Sequence, residues 1–311
     1  MKAVQYRSFG GPEVLEVTDV PDPKMWVDLV LVRIEAAALN PADLGFQSGA
    51  VEPVVDFFFP VVPGWDVAGV VEQAGAATAG FRPGDEVIGF VRGQIMHHGT
   101  YAEKVAAEPR QLVRKPGNLS WAQAAGLPVA GLTAYQAIVY GLEVTAGDTV
   151  LVHGAAGGVG HLAVQIAVAR GARVIGTGSE ASQEFIASLG ATPVRYGDEL
   201  VEQVSKIAPD GVDAVLDTAG RGSLATTEEV AARGVRVASI TQSAAEYPGA
   251  IDVFLHLDGD DLTRLVELAE EGKLTVHVDR AFPLDEAARA QRLLAGGHVR
   301  GKIVLENRRE V

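Results

Sequence analysis

Cysteine is absent from all 311 residues. Disulfides, thiolate metal sites and a cysteine nucleophile are therefore excluded. Positive charge is scarce: 26 Lys and Arg stand against 40 Asp and Glu, a net charge of −14. A surface so acidic repels phosphate backbones and anionic lipid, so neither nucleic acid nor membrane is an expected partner. Long apolar runs are missing too. The most apolar stretch, residues 54–62, is broken by Asp56 and Pro60. It falls far short of the roughly 20 residues that a membrane helix needs. The opening residues, Met1-Lys2-Ala3-Val4-Gln5, form no apolar signal core. A cytoplasmic enzyme is the expectation. The remaining balance, 48% hydrophobic and 21% charged, is that of a globular chain. Its length suits two domains, each able to bury its own core.

The first ~118 residues read as β-rich. Short apolar runs at 29–34, 67–72, 86–91 and 101–105 are separated by Gly and Pro punctuation, including the turn Arg82-Pro83-Gly84-Asp85. Ser120 is an N-cap candidate for a helix reaching Ala125. From Asp148 the pattern becomes strand–helix alternation. Strands are expected at 149–153, 173–176, 212–216 and 235–240, and helices at 160–170 and 182–189. That spacing implies βαβ units and a parallel sheet. Beyond Ile251 the expectations are an amphipathic helix at 260–271, a strand at 276–282, a helix at 284–294 and a last strand at 302–305.

Between the first strand and helix of that region runs Gly154-Ala155-Ala156-Gly157-Gly158-Val159-Gly160. Glycines here allow a tight turn, close approach of backbone to a pyrophosphate, and close helix–strand packing. The helix N-terminus adds free N–H groups and a positive dipole end. The spacing is Gly-x-x-Gly-x-x-Gly, with Ala155 where a first glycine is usual. A tight turn without a ligand is the competing reading. Sites for NAD place an acid about 20 residues on. Here Thr177 leads into Gly178 and Ser179. A small residue there leaves room for a 2′-phosphate and Ser179 can donate to it, which favours NADPH. The neighbouring Glu180 leaves NADH open.

Several ordered stretches together resemble the zinc-free, NADPH:quinone oxidoreductase branch of the medium-chain dehydrogenase/reductase superfamily, the zeta-crystallin-like proteins. They are Met1-Lys2-Ala3-Val4, Leu39-Asn40-Pro41-Ala42-Asp43, Pro63-Gly64-Trp65-Asp66-Val67-Ala68-Gly69, residues 80–87, Gly99-Thr100-Tyr101-Ala102-Glu103, residues 127–135, the 154–160 turn, and residues 300–305. The resemblance implies an α/β chain with a GroES-like β-rich catalytic domain over 1–119 and 252–311. A Rossmann domain, a doubly wound parallel sheet, would occupy 120–251. It also implies a homodimer.

Zinc-dependent relatives ligate their metal with a Cys near the position of Asn40 and a His–Glu pair near Trp65 and Asp66. None of those ligands is present, so no metal site is expected. Adjacent His97 and His98, if on a strand, would point to opposite faces and could not share an ion. Without a Lewis acid the acceptor must already be electrophilic, as quinones and activated enones are.

By resemblance, Asn40 would orient the nicotinamide or the acceptor oxygen, Asp43 would hold that loop, and Thr133 would meet the nicotinamide-ribose side. Asn40-Pro41 could equally be a plain turn, and Thr133 a helix N-cap. The cofactor would also touch Tyr196, Thr218, Ala219, Ser239, Ile240, Gly301 and Lys302. The acceptor would lie near Phe57, Phe59, Trp65 and Tyr135, although the run Phe57-Phe58-Phe59 reads equally as a buried loop anchor. Tyr135 and Tyr101 are the candidate proton donors.

The chain departs from the pattern in places. Val51 stands where thioester enoyl reductases carry a tyrosine donor. Gly45 stands where the quinone-reductase branch often has tyrosine, which opens that wall. Gln183 replaces the lysine for the 2′-phosphate, and Tyr196 only approximates the branch's tyrosine. Arg195 is the remaining source of positive charge there. The expected function is hydride transfer from NADPH to a quinone or similarly activated carbonyl. An enone or enoyl reductase of secondary metabolism and a non-catalytic NADPH-binding protein are the alternatives.

Overall fold

The computed structural model describes residues 1–307. In chain order its strands are β1 Lys2–Gln5, β2 Glu16–Asp19, β3 Val30–Ala38, β4 Asp66–Ala74, β5 Glu86–Phe90, β6 Lys104–Ala107 and β7 Leu112–Arg114. There follow β8 Thr149–His153, β9 Arg173–Gly178, β10 Thr192–Arg195, β11 Val212–Asp217, β12 Ala231–Ser239, β13 Ile251–Asp252, β14 Val278–Pro283 and β15 Lys302–Glu306. The chain divides into two units. Unit one comprises Met1–Val129, Leu257–Glu270 and residues 276–307; unit two comprises Ala130–His256 and Glu271–Thr275.

Unit one is built on a seven-stranded sheet in the order β14-β15-β3-β4-β5-β7, with β6 also paired to β3. All its pairings are antiparallel except β14 with β15. Strand β3 lies at the centre because its run Val30–Ala38 is almost wholly apolar and buried. Val32, Ile34, Val67 and Val87 meet Ile303 and Leu305 of β15 in one core. The tail therefore rejoins the N-terminal sheet. Pairing of β15 with β3 also brings Lys302 near the C-terminal end of β3.

Residues 120–129, assigned from sequence to the second domain, pack in unit one. Ser120 caps the helix Trp121–Ala125 as expected, its Oγ accepting from Gln123 N. The Val129 N–H then donates to Asp66 Oδ1 at 2.7 Å, tying this segment to β4. The strand expected at 101–105 begins only at Lys104. Tyr101 and Ala102 are used elsewhere, the Tyr101 carbonyl accepting from Val4 N of β1.

Unit two is a six-stranded, fully parallel sheet in the order β10-β9-β8-β11-β12-β13. Counted within the unit this is 3-2-1-4-5-6, the order of the doubly wound dinucleotide-binding sheet. The order reverses between β8 and β11, and the C-terminal ends of those two strands flank the crevice where such sheets bind ligands. The helix Gly160–Ala169 crosses from β8 to β9, as the glycine turn requires. Its residues Gly160 to Ala167 are all buried, which its apolar composition on nearly every face allows.

Candidate active site

The glycine turn of unit two starts at the end of β8. Gly154 has φ +71°, a left-handed conformation that a side chain resists, and its carbonyl accepts from Gly157 N at 2.9 Å. Thr177 at the end of β9 braces the turn: its carbonyl accepts from Ala155 N and its hydroxyl oxygen from Gly154 N. Thr218, after β11, donates its hydroxyl to the His153 carbonyl at 2.6 Å. A Cβ on Gly160 would fall 2.1 Å from the Gly154 carbonyl oxygen, so the helix packs here at glycine-only distance. A Cβ on Gly157 would meet one atom alone, that same oxygen at 3.2 Å. Its front side is therefore open. Val159 caps the helix without any side-chain hydrogen bond. The N–H groups of His161, Leu162 and Ala163 are taken by the Gly157 and Val159 carbonyls, which leaves those of Gly158, Val159 and Gly160 for an anion. These features fit a nucleotide pyrophosphate.

Beside the turn, Asp217 gathers a network that sequence reading did not single out. Its carboxylate accepts from Ala219 N, Gly220 N, and the hydroxyls of Ser223, Ser239 and Thr241, at 2.6 to 3.0 Å. Burial raises the acid's pKa, but the bonds from Ser223, Thr241 and the two backbone N–H groups outweigh it and hold the acid below its usual range. The network shapes the loop carrying Thr218 and Ala219. It also occupies the buried Ser239 hydroxyl, so that side chain is not free for a cofactor. Ile240 is half-buried, and its N–H donates to the Asp217 carbonyl.

At the end of β9 one expectation is overturned. Gly178 does not leave an empty space: a Cβ there would lie 2.5 Å from Ile186 Cδ1 and 3.2 Å from Ser182 Cβ. The glycine accommodates the following helix. Ser179 is the half-buried residue of this outlet, with its Oγ 3.0 Å from Ser182 Oγ. Gln183, at the lysine position, turns its amide onto the carbonyls of Gly178 and Ser179. Tyr196 is exposed, and its N–H donates to the Gly178 carbonyl.

Unit one holds the second constellation. Asn40 precedes the helix Pro41–Gln47. Its backbone N–H donates to Asp43 Oδ2 at 2.8 Å, which makes the Asn-Pro-x-Asp segment a helix start and not a plain turn. Its Nδ2 donates to Asp66 Oδ2 at 2.7 Å, and Lys302 Nζ donates to its Oδ1 at 2.6 Å. Asn40, Asp43, Asp66 and Lys302 are all buried. Burial raises both acids, Asp43 to about 7, and burial lowers the Lys302 ammonium.

Lys302 was expected to contact the cofactor. Its ammonium is instead engaged by Asn40, by the Leu39 carbonyl at 2.9 Å and, at 3.9 Å, by Asp66. Gly301 has φ +69°, and a Cβ there would fall 2.2 Å from the His277 carbonyl oxygen, so this residue serves the approach of two backbones. Tyr101, a candidate donor, is fully buried and gives its hydroxyl to Asp43 Oδ2 at 3.0 Å.

Zinc does not suit these residues. An ammonium stands beside Asn40 and Asp66, where zinc-dependent relatives would put the ion, and the soft thiolate ligand is an amide.

The aromatic residues form a connected wall. Phe46 meets Trp65 edge to face at 4.8 Å, and Phe9 meets Phe57 at 4.9 Å and Phe59 at 5.2 Å. Phe57 and Phe59 are thus anchored on Phe9, while Phe58 is 67% exposed. Behind Trp65 and Phe46 lies a cavity of about 20 Å³ also lined by Tyr6, Asp43, His97 and His98. His97 and His98 do not diverge as a strand would make them. They sit in a loop, with ring centroids 3.9 Å apart, and His97 Nδ1 lies 2.6 Å from the Phe58 carbonyl oxygen.

In unit two, Thr133 lies inside the helix Pro128–Gln136, so it is not an N-cap. Tyr135 of the same helix is half-buried against Tyr140.

Residues 27–117 match the alcohol dehydrogenase GroES-like domain family and residues 189–305 the zinc-binding dehydrogenase family. A chloroplastic NADPH-dependent alkenal/one oxidoreductase of Arabidopsis thaliana is 36% identical over 98% of this chain and 79% of its own length. The quinone oxidoreductase of Coxiella burnetii superposes with a TM-score of 0.86 at 34% identity, covering 99% of both chains. A structure described as an NAD-dependent alcohol dehydrogenase gives 0.89 at 34% identity, covering 98% of this chain and 99% of that one. The chain belongs to the medium-chain dehydrogenase/reductase superfamily, among relatives named for quinone and alkenal/one reduction.

Proposed function

We propose that this protein is a zinc-independent, NADPH-dependent oxidoreductase whose acceptor is a quinone or a similarly activated carbonyl compound. The observation that carries the proposal is the 154–160 turn, whose geometry suits a pyrophosphate. The names of the full-length relatives support the same chemistry. When bound, the reduced nicotinamide supplies a hydride.

The chain's own residues then bind, orient and shield. Gly158, Val159 and Gly160 offer backbone N–H groups to the pyrophosphate. Asn40, its amide locked between Asp66 and Lys302, presents a fixed dipole. Trp65, Phe46 and Phe57 supply apolar surface for a flat acceptor. A donor set unsuited to zinc means that the acceptor must already be electrophilic. A quinone fits, because its reduced anion can take a proton from water. Thr133, Thr177, Ser179, Thr218 and Ala219 remain proposed cofactor neighbours within unit two. A homodimer, resting on the family resemblance, and a cytoplasmic location are part of the reading.

Reduction of an activated enone is the second reading, favoured by the 36%-identical alkenal/one oxidoreductase. It requires a proton for the α-carbon. Tyr101 is spent on Asp43, which leaves Tyr135 as the tyrosine to test.

Stopped-flow oxidation of NADPH against 1,2- and 1,4-quinones and cyclic enones separates the two. Faster turnover of quinones supports the first reading. NADPH binding without oxidation by any acceptor would remove the catalytic assignment, and a requirement for stoichiometric zinc would remove the mechanism.

A further inference from the structure

The outlet of β9 lacks the lysine that would meet a 2′-phosphate, and Gln183 in its place is folded back onto backbone carbonyls. The neighbouring strand supplies a cation instead. Strand β10 pairs with β9 in a register that sets Arg195 directly beside Gly178. Its guanidinium is held by Glu180 Oε2 at 3.2 Å from Nη1 and by Glu199 Oε2 at 3.0 Å from Nη2. Glu180 follows Ser179 on the loop leaving β9, so the first of these ion pairs joins the two strand ends at the hydroxyl pair of Ser179 and Ser182.

We infer that Arg195 selects the cofactor and that Glu180 is a built-in competitor for the 2′-phosphate. This deepens the reading of the chain as a nicotinamide-nucleotide enzyme and rests on it. Three physical points lead to it. The Arg195–Glu180 pair is exposed on both sides, at 51% and 78%, so little holds it together. A phosphate monoester carries more charge than one carboxylate and matches the two-pronged guanidinium fork. Ser179 and Ser182 then lie where they can donate to the remaining phosphate oxygens. Glu199, on the far side of the guanidinium, keeps Arg195 at the outlet while Glu180 is exchanged for phosphate. A nucleotide lacking the 2′-phosphate leaves the Arg195–Glu180 pair closed and gains nothing from it.

Calorimetric titration with adenosine 2′,5′-bisphosphate and with 5′-AMP tests this without catalysis. Arg195→Gln is expected to weaken the bisphosphate about tenfold or more and leave 5′-AMP unchanged. Glu180→Gln is expected to tighten the bisphosphate severalfold, about two- to fivefold, by removing the competitor. Equal effects of Arg195→Gln on both ligands, or none on either, would overturn the role of Arg195. Weaker 5′-AMP binding by Glu180→Gln would make Glu180 a ribose acceptor and overturn the competition. Failure of the unaltered protein to bind either ligand, or NADH or NADPH by fluorescence, would instead count against the cofactor reading itself.

Discussion

Lys302 Nζ lies 2.6 Å from Asn40 Oδ1, a bond between residues 262 positions apart in the chain. It fixes which end of the Asn40 amide faces Asp66, since only the NH2 end can donate to that carboxylate. It also places the one ammonium of this cluster where it can offset a buried acid. Lys302→Met would strand Asp66 uncompensated and should lower stability by about 3–5 kcal/mol. Pairing it with Asp66→Asn should recover a large part of that loss. Urea unfolding of the three variants measures both. An unchanged midpoint for Lys302→Met would mean that the cluster is not electrostatically coupled.

Much of unit two is readable from sequence because its determinants are local. Alternation of apolar strands with a glycine-rich turn and an apolar helix is contained in residues 149–176, and the sheet follows. The Asn40–Asp43 helix start is equally local. Relationships set by strand register are not. Nothing near residue 302 says that its side chain ends against Asn40; only the β15–β3 pairing does that. Gly178 suggested an open space because its neighbour Ile186 arrives from the next helix. His97 and His98 would diverge only on a strand, and a loop brings their rings together. Asp217 escaped notice because its partners Ser223, Ser239 and Thr241 are spread over three segments.

Asp43 should make the protein less stable as pH rises. Burial lifts its carboxyl to about 7, against about 4 in an unfolded chain. The folded state therefore holds the proton more tightly, and this group's contribution is fully present below about pH 4. It is lost progressively up to about pH 7, then stays constant. Asp43→Asn cannot ionise and should remove this slope, so its stability relative to the unaltered protein should improve between pH 5 and pH 8 by about 1 kcal/mol or more. Thermal melts of both proteins at those pH values test it, and parallel curves would refute it.

His153 should act in the opposite direction. It is buried at the end of β8 with Nε2 unpartnered, and burial depresses its pKa to about 4. An unfolded histidine protonates near 6.5, so here the unfolded state takes up the proton first. Stability from this residue is complete above about pH 6.5 and declines as pH falls toward about 4. His153→Leu removes the titrating ring and should flatten the acid limb. Melting temperatures at pH 7.5 and 5.0 should lie closer together in the variant by about 2–4 °C. A gap as wide as in the unaltered protein would show that the ring does not govern acid sensitivity.

Gly157 and Gly160 belong to one turn but should fail differently. A methyl group on Gly160 would meet the Gly154 carbonyl oxygen at 2.1 Å, and neither backbone can move without shifting the helix from β8. Gly160→Ala should therefore cost about 1–3 kcal/mol of stability, with weaker nucleotide binding as a consequence. Gly157 is crowded only by one oxygen at 3.2 Å, so an added side chain extends into the open face of the turn. Gly157→Val should leave the melting temperature within about 2 °C of normal. It should weaken NADPH about a hundredfold by keeping the pyrophosphate off the backbone N–H groups. Differential scanning fluorimetry and NADPH fluorescence titration on the same preparations separate the two effects. A folded Gly157→Val protein with undiminished NADPH affinity would place the nucleotide elsewhere and remove the basis for assigning this turn to the cofactor.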